Sequence, residues 1–237
     1  MKILIIGDPH GKLPKNLTQI IKKNKIKLII CTGDFPLTPK NPTDPKSWIG
    51  FKTKANKSYK KIIDKLCSYK LPILTLKGNM FLKKSSKRIT KRIFSKYKNL
   101  YYKKTGKINL KKTNFIFFDM IWESYNSRTV NRQNKYLKEN KSREKKLNQL
   151  LKETKNSILI SHVPPYGILD KLNFPGISKE LKNKSVGSKI LLKAIRKHKP
   201  KYVICGHIHE AKGIKKLGKT IIINAGCCGD YRIINIK

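Results

Sequence analysis

The sequence predicts an α/β layered fold built as one domain over residues 1–237. Three observations carry that expectation. Short, wholly apolar runs recur along the chain, as strands buried on both faces require. Segments with helical spacing of apolar residues lie between them, an alternation that belongs to α/β architectures. At 38% hydrophobic, the chain can also build a sizeable core without disulfide staples.

The elements follow in order. Residues 2–6 (KILII) form the first apolar run. Residues 14–24 read as a helix, with Leu17, Ile20 and Ile21 on one face. Residues 27–31 (KLIIC) are a second strand and 72–76 (PILTL) a third, with a helix over 55–69 between them. Further strands fall at 114–119, 157–161 and 201–205, and further helices at 135–154 and 187–198. After Lys212 the character changes: 219–224 and 231–236 read as strands joined by Gly-Cys-Cys-Gly-Asp, with no helix between. Two segments are irregular, 35–50 with four prolines and 164–186 with Pro164, Pro165, Gly167, Pro175 and Gly176. Long loops inside a compact domain often carry function.

Charge and cysteines bound the setting. The net charge is +43. A balance this basic invites a nucleic-acid reading. The excess is nearly all lysine and is spread along the chain, which favours a general lysine bias over a built nucleic-acid surface; recognition of phosphates and bases draws on arginine's planar fork. Weak, non-specific nucleic-acid binding is the expectation. Cys31, Cys67, Cys205, Cys227 and Cys228 form no CxxC pair. They read as reduced thiols, with Cys227-Cys228 as an alternative redox pair. The first apolar run stops at Gly7, too short for a signal core, and no later run reaches a membrane span. The chain is therefore expected to be soluble and cytoplasmic, with no membrane partner; nothing in the sequence sets an oligomeric state.

The chemistry lies at the strand ends. After KILII come Asp8-Pro9-His10-Gly11; after KLIIC, Thr32-Gly33-Asp34; after PILTL, Gly78-Asn79. His162 follows SILIS, and Gly206-His207-Ile208-His209 follows YVIC. In open α/β sheets, ligands gather at the carboxyl ends of strands. Taken singly these residues are turn formers or surface groups. Together, five strand ends deliver carboxylate, amide and imidazole donors. That mixture suits borderline divalent ions such as Mn²⁺, Fe²⁺, Zn²⁺ or Ni²⁺, with Mn²⁺ favoured, and the absence of cysteine argues against a structural zinc site. Seven donors exceed one ion's needs, so two ions are expected.

GDPHG, GD, GN, SH and GHIH, in this order, resemble the calcineurin-like metallophosphoesterases. SHVPPYGILDKL with VGSKILLKAI and GHIHE is similar to the small phosphodiesterase-like branch. The resemblance implies two facing mixed β-sheets flanked by helices, an α/β/β/α sandwich. It implies that Asp8, His10 and His209 hold one metal, that Asn79, His162 and His207 hold the other, and that Asp34 bridges them. Asp34, Asn79 and His162 are the residues it implies for catalysis. The implied reaction is hydrolysis of a small phosphoester substrate, a phosphodiester above all, by a metal-bridging hydroxide.

One motif departs from the pattern. The family's third motif continues GNH and then an acidic residue; here it reads Gly78-Asn79-Met80-Phe81. Methionine has no proton to give. Either the leaving group needs no protonation, or another residue such as His198 or Tyr166 protonates it, or the site binds without cutting. A nuclease on the same scaffold is a further alternative.

Overall fold

The computed structural model describes residues 1–41, 44–80, 92–119, 130–154 and 156–236. In chain order the first elements are β1 (Lys2–Ile6), α1 (Leu17–Lys23), β2 (Leu28–Cys31), α2 (Lys52–Cys67) and β3 (Ile73–Thr75). Next come α3 (residues 92–96), β4 (Leu100–Tyr102), β5 (Thr105–Leu110), β6 (Thr113–Phe118), α4 (Val130–Lys152) and β7 (Ile158–Ser161). The last are α5 (Lys189–His198), β8 (Tyr202–Cys205), β9 (Gly213–Leu217), β10 (Thr220–Asn224) and β11 (Tyr231–Asn235). They make two compact units, Met1–Tyr102 with Ala225–Lys237, and Lys103–Asn224.

The first unit holds a five-stranded sheet in the order β11-β1-β2-β3-β4. β1 to β4 pair in parallel and β11 joins antiparallel to β1. Every residue of β2 is buried, and every residue of β1 except Lys2, which is why their sequences show no alternation. α2 buries Ala55, Tyr59, Ile62, Ile63 and Leu66, a stripe at helical spacing. That stripe shares a core with Leu4, Ile6, Ile29 and Cys31. Phe35, just beyond β2, meets Tyr59 edge to face at 5.6 Å.

The second unit holds a six-stranded sheet in the order β5-β6-β7-β8-β10-β9. Its inner strands are parallel and its two outer pairs antiparallel. Leu147 and Leu151 of α4 and Leu191, Ala194 and Ile195 of α5 pack on Ile116, Phe118, Leu159, Val203 and Ile222. α5 is well bounded. Ser188 caps its start by accepting from Leu191 N at 2.9 Å, and its last turn carries Arg196, Lys197 and His198 against the negative end of the helix dipole.

The expected α/β class with two mixed sheets is thus the architecture observed. Three strands were not anticipated: β4, β5 and β9. Each is an edge of its sheet. Cys31 and Cys205 are buried and free, as expected of core thiols at the ends of apolar runs, and Cys67 is buried and free as well. Burial raises the Cys31 thiol and pushes Cys67 up to about 12, so neither forms a reactive thiolate near neutrality. Among the described residues no helix is long and apolar enough to cross a membrane.

Candidate metal centre

The first unit carries Asp8, His10, Asp34 and Asn79. Asp8 leaves β1 by continuing as a single bridge to Cys227, with Asp8 N donating to Gly226 O at 3.0 Å and Cys228 N to Asp8 O at 2.9 Å. Gly7 is required just before it, because a Cβ there would stand 2.3 Å from Gly226 O. Asp8 is fully buried, and its Oδ1 accepts from Thr32 Oγ1 at 2.6 Å. That bond fixes the carboxylate's rotation and leaves its second oxygen to another partner.

Asp34 is gripped more firmly. Its N donates to Lys77 O at 3.1 Å, its O accepts from His10 N at 2.9 Å, and its Oδ1 accepts from Met80 N at 2.7 Å. The loops after β1, β2 and β3 are therefore laced together through one residue. His10 Nε2 lies 3.9 Å from Asp34 Oδ2, both groups being buried. A cation with bonds of ~2.0–2.2 Å can touch two donors at that separation. His10 and Asp34 both hold positive φ, +43° and +44°. Non-glycine residues rarely do, and such outliers gather at functional sites.

The second unit carries His162, His207 and His209. His162 follows β7 directly and is fully buried, and its O accepts from Gly206 N at 3.0 Å. The rings of His162 and His207 lie 4.9 Å apart, tilted by 59°. His207 is the centre of a γ-turn: Ile208 N donates to Gly206 O at 2.8 Å around a φ of +68°. Buried Asn224, at the end of β10, holds this turn by donating to Ile208 O at 2.8 Å. His209 begins a short 3-10 segment, His209–Ala211.

The donors of each unit are of the kind that divalent metal takes. Buried carboxylates and an imidazole in one unit, and paired imidazoles in the other, are the ligands that borderline ions take. Sequence reasoning missed the supporting groups: Thr32 on Asp8, the Met80 backbone on Asp34, and Asn224 under His207. The adjacency of Thr32 to Gly33-Asp34 was the one available signal. Of the substitute proton donors, His198 bonds Asn148 Oδ1 at 2.8 Å, tying α5 to α4. It also precedes β8, whereas His207 follows it, so β8 separates the two. Tyr166 lies on the loop after β7, with Lys189 Nζ 5.1 Å over its ring. Met80 is half-buried, and Phe81 lies outside the described residues.

Residues 1–211 match the model of the calcineurin-like phosphoesterase family. The chain belongs to the calcineurin-like phosphoesterases. This phosphoesterase is also similar to uncharacterized protein MJ1162 of Methanocaldococcus jannaschii, 29% identical over 228 residues that cover 94% of this chain and 87% of the archaeal one. Among solved structures, one crystal structure matches with a TM-score of 0.66 at 18% identity, covering 98% of this chain and 94% of that one. The crystal structure of TT1561 from Thermus thermophilus matches at 0.50 and 12% identity, covering 96% and 89%. At such identities these two matches speak for the fold. Family membership makes the chain a metal-dependent phosphoesterase and implies divalent ions as its cofactors.

Proposed function

We propose that this phosphoesterase, acting as one domain over residues 1–237, is a dinuclear-metal hydrolase of phosphodiesters. Asp8, His10, Asp34 and His209 would hold one ion; Asp34, Asn79, His162 and His207 would hold the other. The observation that carries the reading is Asp34. It is a buried carboxylate whose backbone and Oδ1 are fixed by two neighbouring loops, those after β1 and β3, while Oδ2 stands beside His10. A bridging ligand needs that rigidity, since it must serve two partners without rotating.

When bound, two divalent cations lower the pKa of coordinated water towards neutrality and neutralise the phosphate oxygens. The chain's own residues do the rest. Thr32 orients Asp8. The Met80 N–H holds Asp34, so position 80 supports the site through its backbone whatever its side chain. The Met80 side chain cannot protonate a departing oxygen. The reading therefore favours esters whose alcohol leaves as a stable anion.

The test is metal content together with turnover of bis(p-nitrophenyl) phosphate after loading with manganese. About two ions per chain with turnover is the expected result. A ratio well below one in folded protein defeats the site assignment. Two ions without turnover of any ester defeats the hydrolase and leaves a binding module.

A further inference from the structure

The loop between β7 and α5 builds something the metal chemistry does not use. A cavity of about 470 Å³ is lined by apolar Leu172, Phe174 and Val186 and by polar His207, His209 and Glu210 among others. Such a volume is within the range of small-molecule sites. Phe174 is 47% exposed although it is a large apolar side chain.

Its position is imposed by the backbone. Phe174-Pro175-Gly176-Ile177 forms a tight turn, with Ile177 N donating to Phe174 O at 3.2 Å and Gly176 at φ +84°. Proline second and a positive-φ glycine third are the signature of a type II turn. Asn173 N donates to Glu210 Oε1 at 2.9 Å, tying the turn to the residue after His209. Leu172 pairs with the returning chain, its N donating to Lys184 O at 3.1 Å and its O accepting from Asn183 N at 2.7 Å. At the loop's base, fully buried Asp170 accepts from Gly167 N at 2.8 Å and Gly187 N at 2.9 Å. The loop is braced at root, middle and tip, and it holds an aromatic ring open beside two of the proposed ligands.

We infer that this cavity is the leaving-group subsite, and that it takes a planar aromatic ring carrying a hydrogen-bond donor. The inference rests on the hydrolase reading above. A group lodged beside His207 and His209 is one joined to the phosphorus held there. The Phe174 face and the Leu172 and Val186 side chains suit a flat apolar ring. Glu210 uses part of its acceptor capacity on Asn173; a carboxylate has about four acceptor positions, so it can also receive a ring N–H or O–H. Its charge excludes a second anionic group from the cavity. An aromatic alcohol is also the kind that leaves without a proton, as Met80 demands.

The test uses the full-length, manganese-loaded chain and methyl phosphodiesters of phenol, 4-aminophenol and trifluoroethanol. Phe174→Ala should raise KM for the two aryl esters about tenfold, a loss on the scale of one aromatic contact, with kcat nearly unchanged and the trifluoroethyl ester unaffected. Glu210→Gln, which keeps an acceptor for Asn173, should reduce the preference for the aminophenyl over the phenyl ester. Independently of turnover, saturation-transfer NMR of 4-aminophenyl phosphate with metal-free protein should mark the ring protons, and Phe174→Ala should abolish that signal. If turnover persists and Phe174→Ala changes all three esters alike or none, the subsite is overturned while the hydrolase stands. If no ester turns over but the ring is still saturated through Phe174, the hydrolase reading falls and the ring site stands.

Discussion

Gly78→Ala separates two costs that usually travel together. Gly78 has a φ of +77°, and a Cβ there would lie 2.1 Å from Asp34 Oδ1 and 2.7 Å from Asp34 N. The left-handed backbone alone costs an alanine roughly 1–2 kcal/mol. The overlap adds overpacking strain of about 1–3 kcal/mol, because one of the two clashing atoms is main chain and cannot rotate away. The sum is about 2–5 kcal/mol of stability. Gly50→Ala supplies the control in the same unit: φ +72° with nothing within 4 Å, so only the backbone part remains. Relief of the Gly78 overlap must push the Asp34 carboxylate, so manganese affinity should fall as well, on the order of 10–100-fold, the scale seen when a group supporting a ligand is disturbed. Chemical denaturation of metal-free protein measures the first effect and titration with manganese the second. If Gly78→Ala matches Gly50→Ala in both, Asp34 is not held where a bridging ligand must stand.

Four other outcomes follow from the same structure. Asp34→Ala should abolish turnover and weaken both ions together, read by elemental analysis; loss of a single ion would refute the bridge. Met80→His with Phe81→Glu should speed alkyl phosphodiesters by at most about 10²–10⁴ and leave p-nitrophenyl esters almost unchanged. A native rate independent of leaving-group pKa, with chemistry limiting, would show that another donor already acts. His198 has its pKa lowered from 6.5, by burial first and by Lys197 second; its neutral form therefore contributes stability above pH 6.5 that is lost as pH falls through the lower, folded value. Unfolding midpoints between about pH 7 and 5 should drop less in His198→Gln than in the native chain, and equal drops would count against it. Nucleic-acid binding, tested by salt titration, should be weak, sequence-blind and steeply salt-dependent; tight selective binding at physiological salt would favour a nuclease instead.

What the sequence disclosed follows from burial. β1, β2, β3, β6, β7 and β8 bury most of their residues, so their sequences are mostly Ile, Leu, Val and Phe and stand out against a lysine-rich chain. β4, β5 and β9 are edges. β5 reads TGKINL and β9 GIKKL, the lysine-bearing pattern with which edge strands avoid pairing with other chains, and it looks like loop. The proposed ligands could be picked out because each lies within four residues of the end of a strand that was legible. The bonds that aim them were not. Met80 N to Asp34 spans 46 residues and Asn224 to Ile208 O spans 16, and neither leaves a mark in local spacing. The cavity beside Phe174 escaped for the same reason: the Pro175-Gly176 turn is readable, but not the fact that Glu210 ties it to the His207-His209 loop.

The backbone at the proposed ligands bears on how metal and stability are linked. His10, Asp34 and His207 hold φ of +43°, +44° and +68°. Each such conformation costs of order 1–3 kcal/mol and persists only where its surroundings over-determine it. Those surroundings are identifiable. His10 N is committed to Asp34 O, Asp34 N to Lys77 O, and Ile208 N closes the turn over Gly206 O. Glycine follows or precedes each strained residue: Gly11, Gly33 and Gly206. The chain thus holds these groups in place through its own hydrogen bonds. Side chains held in this way divert little of a bound ion's binding energy to ordering loops. It also means that strain released on local unfolding opposes folding at these three loops. An ion that binds only the folded state adds RT ln(1 + [L]/Kd) against it, about 2.7 kcal/mol at a hundredfold excess over Kd, enough to offset one strained residue at its middle cost or two at their lower.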